Sequence, residues 1–448
     1  MLEKVHLINY IKENLRKDHM VSDDLRDAAV QLYSMLRNKP PITSSNRIIG
    51  ILDDNGKEKY SNLTEYYNDK QRIEFLLFWT VKMIPILDIL TGIGKLPYYR
   101  KKNETDFEEF VNRKLEVYKE AINALEDRTI LSNEDINFVG TICDDLNAAL
   151  SRYLEGFPGE AFIIFKRIME CIEALNIDSL TDSVGKVDLL LFKMRLGSSN
   201  RMFGKDEMFH IPFENRGLVK TNRYSIPGLP CLYLGRTPLT CWEEMGKPDL
   251  NTTHTSLFIP AETLSYFDIS IPPAAIADHL VKYLKYRYGE DLSNLYRLLR
   301  TYLIMWPLIA SCSIRVLNTE DTFKPEYILS QLLLQWIQQS AKYDGISYFS
   351  TKINHYSEKN YWVYQNFAFP VKERKGTGYC EQLRSKFLHI TNASPWQVFQ
   401  LHKELTGIGE QNTMIEFMSG MSVNYNKTDF GRLETFLTNV LTAESMKF

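Results

Sequence analysis

The sequence predicts an α+β protein: a helical N-terminal domain, then a mixed β domain, then a helical C-terminal appendage. Three observations carry this. Apolar residues recur at helical spacing through the first third of the chain. Beyond residue 187 the apolar runs become shorter and mixed, with turn residues between them. After residue 372 a charged, glycine-rich stretch leads back into helical periodicity. A chain of 448 residues exceeds one ordinary core, so the division into 1–180, 187–371 and 372–448 also fits the usual size of domains.

In the first part, helical spacing runs through 5–15, 24–36, 73–90, 107–125, 133–154 and 160–175. Pro40-Pro41, the turn at 53–57, the stretch from Thr91 to Pro97 and the turn at 156–159 separate them. Ser132, followed by Glu134 and Asp135, reads as a capped helix start. The apolar run 73–94 carries Glu74, Lys82, Pro85 and Asp88, which are costly in lipid, so it reads as buried helix broken near Pro85. GIGK at 92–95 lacks the rest of a phosphate-binding loop and reads as a turn. The polar, glycine-containing stretch 179–186 marks the boundary.

In the second part, strands are expected in VDLLLFKMRLG, in CLYLG and in the run 254–271, with helices at 274–288, 292–309 and 325–343. GISYFS and NYWVYQNFAFPV close the pattern as strands, and the tail is helical in PWQVFQLHKEL and RLETFLTNVLTAESM.

Composition narrows the function. With 53 Lys plus Arg against 56 Asp plus Glu, the chain has no basic excess to track a nucleic acid. The six cysteines show no CxxC pairing, which argues against a metal cluster or a disulfide framework. The start lacks the apolar core of a signal peptide, and a cytoplasmic protein is expected.

The densest chemistry lies at 208–245, where SIPGLP makes a turn, CLYLG a strand and Thr237-Pro238 a helix start closed by Glu243 and Glu244. Neighbouring helical residues point about 100° apart, so only one glutamate can face a pocket. On the residues alone both also read as a solvated helical turn. Tyr233 reads equally as a core tyrosine, Arg223 as a surface arginine and His210 as a structural histidine. Lys193 and Arg195, two apart on a strand, share a face.

This segment, with GISYFSTK at 345–352, resembles the RES-domain family, NAD-consuming enzymes best known as bacterial toxins and similar in fold to mono-ADP-ribosyltransferases. The resemblance spans roughly 187–371. It implies that Glu244, on the helix after the strand carrying Tyr233, is the family glutamate, with Ser350 the family serine. Arg195 is taken for the family's first arginine, because its fork of donors suits pyrophosphate better than the point charge of Lys193. By the same resemblance Arg223 and Tyr224 occupy the family's Arg-aromatic pair, with Ser225 where Asn is commoner. Arg216, His210, Lys193, Tyr348 and Asn366 are further candidates for the NAD contact.

The reaction implied is cleavage of the nicotinamide–ribose bond. A ribosyl cation forms, nicotinamide leaves neutral, and a carboxylate near the ribose is what the chemistry needs. Water or phosphate would take the ribose; transfer of ADP-ribose to a macromolecule and NAD sensing without turnover are the alternatives. No cofactor beyond NAD as substrate, no metal, no nucleic acid and no membrane are expected. An antitoxin or regulatory partner is, and so is oligomerisation through the helical domain. That domain resembles HEPN bundles without their catalytic pair: Arg16 and His19 are too close in sequence, and Arg384 with His389 on a helix is a chance match.

Overall fold

The computed structural model describes residues 83, 85–104, 106–125, 128–175, 189–197, 201–286, 293–401, 413–418 and 421–445. The expected helices at 5–15 and 24–36, Arg16, His19 and the boundary at 179–186 lie outside the described residues, as does most of 73–90.

Helix α1 (Phe107–Asn123) starts at Asp106, whose carboxylate accepts from the Glu109 amide. Helix α2 (Asn133–Leu154) starts with the capping box of Ser132 and Asp135, each side chain satisfying the other's backbone N–H, a device worth about 1 kcal/mol. Helix α3 (Pro158–Ala174) has Pro158 in its first turn, where no N–H partner is lost. GIGK forms the turn it reads as, with the Gly94 amide on the Ile89 carbonyl at 2.6 Å. Among the described residues no helix is long and apolar enough to cross a membrane.

The strands are β1 (Leu191–Leu196), β2 (Cys231–Gly235), β3 (Thr253–Pro260), β4 (Tyr266–Ile269), β5 (Gly345–Phe349) and β6 (Gln365–Pro370). Helix α4 (Pro238–Glu244) follows β2; α5 (Pro273–Tyr286), α6 (Ser293–Ser311) and α7 (Ile328–Gln339) lie between β4 and β5. The tail holds α8 (Glu381–Arg384), β7 (Phe387–Ile390), β8 (Ser394–Pro395), α9 (Trp396–Leu401), the hairpin β9 (Met414–Met418) and β10 (Met421–Asn424), and α10 (Asp429–Ser445).

One mixed sheet runs β4-β5-β6-β2-β1-β3-β7, with β8 also on β3; only β4 and β5 are parallel. The tail therefore supplies strands as well as helices, and β7 extends the sheet past residue 371. Arg384 ends helix α8 whereas His389 lies on β7, so the two do not share a helix.

Strand alternation gives the sheet two covered faces. One core joins Phe192, Tyr224, Leu257, Ile346 and Ala368 to α6 and α7, and through them to α1, α2 and α3. The other joins Leu191, Leu232, Leu234, Phe258, Phe367 and Phe369 to Phe209, Phe213 and Phe387. The described helices of the N-terminal part thus share a core with the helices inserted in the β domain. Tyr118 stacks on Trp306 at 3.8 Å, and Arg300 makes a forked contact with Asp135 at 2.6 and 3.0 Å.

Candidate active site

Local sequence dictates how Glu244 is presented. Thr237 caps α4 by accepting the Thr240 amide at 3.2 Å, and both threonine hydroxyls donate to the Val363 carbonyl. A side chain at Gly235 would stand 2.9 Å from the Cys241 sulfur, so glycine lets the helix fold tightly back on its strand. Glu243 and Glu244 then diverge as helical geometry requires. Glu243 is 12% exposed and pairs with Lys247 at 3.0 Å. Glu244, 34% exposed, accepts from the Asn366 amide at 2.9 Å and has the Lys352 ammonium 3.7 Å from its other oxygen.

Register explains the company Glu244 keeps. Gly235 pairs with Asn366, and Asn366 with Tyr348; Tyr233 pairs with Ala368 one step along. Tyr233, Asn366 and Tyr348 therefore share one face, the face of Phe192. The Tyr233 hydroxyl donates to the Tyr224 carbonyl at 2.6 Å, and the Tyr224 ring packs on Tyr348 at 4.2 Å. Burial pushes the phenols of Tyr348 and Tyr356 well above their ordinary range, and the Glu244 charge pushes them further. Tyr327 is shifted up by the same two causes and down by Arg223. Tyr233 and Tyr348 are half-buried, and burial likewise holds the Tyr233 phenol well above its ordinary range. The arrangement is a carboxylate, oriented by an amide, beside three aromatic hydroxyls, those of Tyr327, Tyr348 and Tyr356.

Ser350 is buried next to this group in a supporting position. Its hydroxyl accepts from the Lys352 amide at 3.2 Å, and its carbonyl takes the Tyr356 hydroxyl at 2.5 Å. Lys352 in turn donates to the carbonyls of Glu243 and Glu244 at 3.1 and 2.7 Å, a cation on the last turn of α4. Arg223 adjoins the group, but its donors are spent on the carbonyls of Cys312, Ile314 and Glu326 and on the Thr351 hydroxyl, with Tyr327 stacked 5.1 Å away. It braces the wall, which leaves little for a pyrophosphate.

Four expected contacts lie elsewhere. Alternation along β1 turns Lys193 and Arg195 away from the Phe192 face. Arg195 is exposed, donates to the Glu207 carbonyl at 2.7 Å and covers Phe203; among the described residues no contact joins it to the Glu244 group. Lys193 is half-buried and donates to the Phe209 carbonyl at 2.5 Å; burial, then Arg195, holds its ammonium down to about 8. Strands β1 and β2 share the single pair Phe192–Gly235, and the charge of Lys193 is felt by the thiols of Cys231 and Cys241 beyond it. Arg216 is exposed, over Phe213 and against the Lys375 carbonyl at 3.3 Å. His210 is buried: Nε2 accepts the Cys380 amide at 2.9 Å, which places the proton on Nδ1, facing the Ile211 carbonyl at 2.7 Å. Burial pushes it down to about 4, and both nitrogens are taken, so it has no donor left for a phosphate.

Sequence reasoning missed Lys352, Tyr327 and Tyr356. Lys352 follows Ser350 by two residues and could have been flagged. The tyrosines reach Glu244 only through the fold, and no local pattern marks them. Among the described residues no group of His, Cys, Asp or Glu is arranged to hold a metal ion.

The family model described as RES domain matches residues 200–377, a span that contains every member of the Glu244 group. A protein of Bacillus subtilis (strain 168) named "Putative toxin YopC" is 36% identical over 436 residues, covering 95% of this chain and 96% of that one. The chain belongs to the RES-domain family. The likeness to the Bacillus protein extends well beyond the matched RES region into the helical part and the tail. No solved structure matches the chain.

Proposed function

We propose that this RES-domain protein degrades NAD, with Glu244 as the carboxylate that stabilises the ribosyl cation while neutral nicotinamide departs. The observation that carries the reading is the Glu244 carboxylate itself. It is oriented by Asn366 at 2.9 Å and bordered by Tyr348, Tyr327 and Tyr356, in a family member. A fixed negative charge beside a developing cation, in a partly desolvated wall of aromatic rings, is what this bond cleavage needs. Half-buried Tyr348, backed by the buried Tyr224 ring, supplies a flat surface suited to a nicotinamide ring. The family serine, Ser350, acts in this reading through the turn that places Lys352. NAD is the substrate, and no further cofactor is invoked.

Because loss of NAD is lethal, and because the Bacillus relative is named as a toxin, the protein is proposed to act as a toxin restrained by an inhibitory partner. The test is incubation of the purified chain with NAD, with nicotinamide, ADP-ribose, its phosphorylated form and labelled macromolecule resolved as products. Release of nicotinamide with free ADP-ribose supports hydrolysis, and the phosphorylated product supports phosphorolysis. Label on a macromolecule selects transfer instead; tight binding without any product removes the enzymatic reading.

A further inference from the structure

The matched RES region begins at residue 200, yet one wall of the Glu244 site is held from outside it. Residues 98–100, between the turn at 92–95 and helix α1, lie along 313–315 as a short parallel bridge, Tyr98 opposite Ile314. The Tyr98 amide donates to the Ser313 carbonyl at 3.1 Å, and the Arg315 amide to the Tyr98 carbonyl at 2.9 Å. Arg315 lies over the Tyr99 ring at 4.4 Å. Arg100 pairs with Glu326 at 2.7 Å, both almost wholly buried at 7% and 2% exposure. The same Glu326 oxygen also accepts the Leu317 amide at 3.2 Å.

The groups so fixed are those that brace the site. The carbonyls of Cys312, Ile314 and Glu326 hold Arg223. Arg223 reaches the Thr351 hydroxyl at 3.4 Å, and Arg315 donates to the Thr351 carbonyl at 2.7 Å. The next residue is Lys352, which grips the end of α4 and stands 3.7 Å from the Glu244 carboxylate.

We propose that residues 98–100 are a positioning strap for the catalytic carboxylate. Arg100 and Tyr98 fix Glu326 and the 313–315 segment, and these set the Thr351–Lys352 turn against Glu244. The inference rests on Glu244 being the working carboxylate. It makes the helical part a component of the active site's geometry, with Arg100, Arg315 and Glu326 as positioning residues that touch no substrate.

The test uses the full chain. Removing one member of a buried ion pair strands the other's charge, so Arg100→Met and Glu326→Gln are combined; Gln keeps an acceptor for the Leu317 amide. Asp135→Asn is the control. It breaks a different contact between the helical part and α6, one that does not touch the strap. The double variant is expected to lower kcat for nicotinamide release about tenfold with KM little changed, since a carboxylate displaced by a fraction of an ångström loses the transition state before the substrate. Arg100→Lys, which retains a cation on Glu326, is expected to recover most of that loss. The control is expected to shift melting without changing kcat. Unchanged kcat in the double variant, or a loss matching the control at equal melting shift, overturns the strap. Hydrogen exchange gives a readout free of activity: the double variant speeds exchange in 240–246 and 350–352, and the control does not. If the wild type releases no nicotinamide the enzymatic reading falls, and the exchange result alone decides whether the strap sets this turn.

Discussion

The polar side chains on the two sides of the central sheet are used differently. On the Tyr233 face the polar groups meet one another: Asn366 bonds Glu244, Lys352 closes on it, and Tyr348, packed on Tyr224, feels its charge. On the other face each group is consumed by the nearest carbonyl: Arg195 by Glu207, Lys193 by Phe209, and His210 by its own neighbour and the Cys380 amide. What differs is whether the polar groups converge on one charged group or are each tied to backbone. A convergent, half-exposed carboxylate can act on a ligand, and a histidine with both nitrogens engaged can only hold its loop.

The largest expected effect is at the carboxylate. Glu244→Gln keeps size and a partner for Asn366 but removes the charge, and nicotinamide release should fall by roughly 10²–10³-fold with the melting temperature unchanged. Glu243→Gln, one residue away, should stay within about twofold, because that carboxylate is paired with Lys247 and diverges from the Asn366 group. Equal losses in both would erase the distinction between the two glutamates.

Next comes the orienting amide. Asn366→Ala should cost about tenfold in kcat with little change in KM, as the carboxylate loses its fixed rotamer. A KM effect alone would make Asn366 a substrate contact.

A smaller, pH-dependent effect sharpens the assignment of the first basic residue. With the Lys193 ammonium held down to about 8, it is charged below that pH and neutral above it. If it helps to bind the NAD phosphates, kcat/KM should decline above about pH 8 in the wild type and not in Lys193→Met. Arg195→Ala should keep that decline and move it to higher pH, because the Arg195 charge helps to hold the Lys193 ammonium down. The reverse pattern would restore Arg195 to the site.

The smallest effect on activity, and one on stability, belongs to the opposite face. His210 is held down to about 4 against an ordinary value near 6.5. In the unfolded chain it takes up a proton as pH falls through about 6.5, while in the folded chain it stays neutral until about 4. Stability is therefore full above the first value and lost progressively between the two, by roughly 3 kcal/mol. His210→Asn should flatten that part of the melting-versus-pH curve and leave nicotinamide release near wild type. Loss of turnover without loss of stability would make His210 a site residue after all.

Much of this was legible in the sequence where the signal was local. The period-2 run CLYLG, the Thr-Pro cap and the helix behind it fixed the placement of Tyr233 and Glu244, and the capping box at Ser132 marked the start of α2. Asn366 and Tyr348 followed from the strands that carry them. The choice between Lys193 and Arg195 could not be made from sequence, because i and i+2 on a strand share a face but not a depth. Lys193 sits where the strand is covered, and Arg195 where it has run out into solvent. The strap at 98–100, Tyr327 and the strand β7 in the tail are long-range features with no sequence periodicity of their own, so only the fold reveals them.

The most direct test of the account is to see on which face the dinucleotide lies. A crystal structure of the Glu244→Gln protein with NAD is expected to place the nicotinamide ribose beside residue 244, with Asn366 and Tyr348 in its wall. NAD bound instead against His210 and Arg195, with residue 244 out of reach of the ribose, would contradict it.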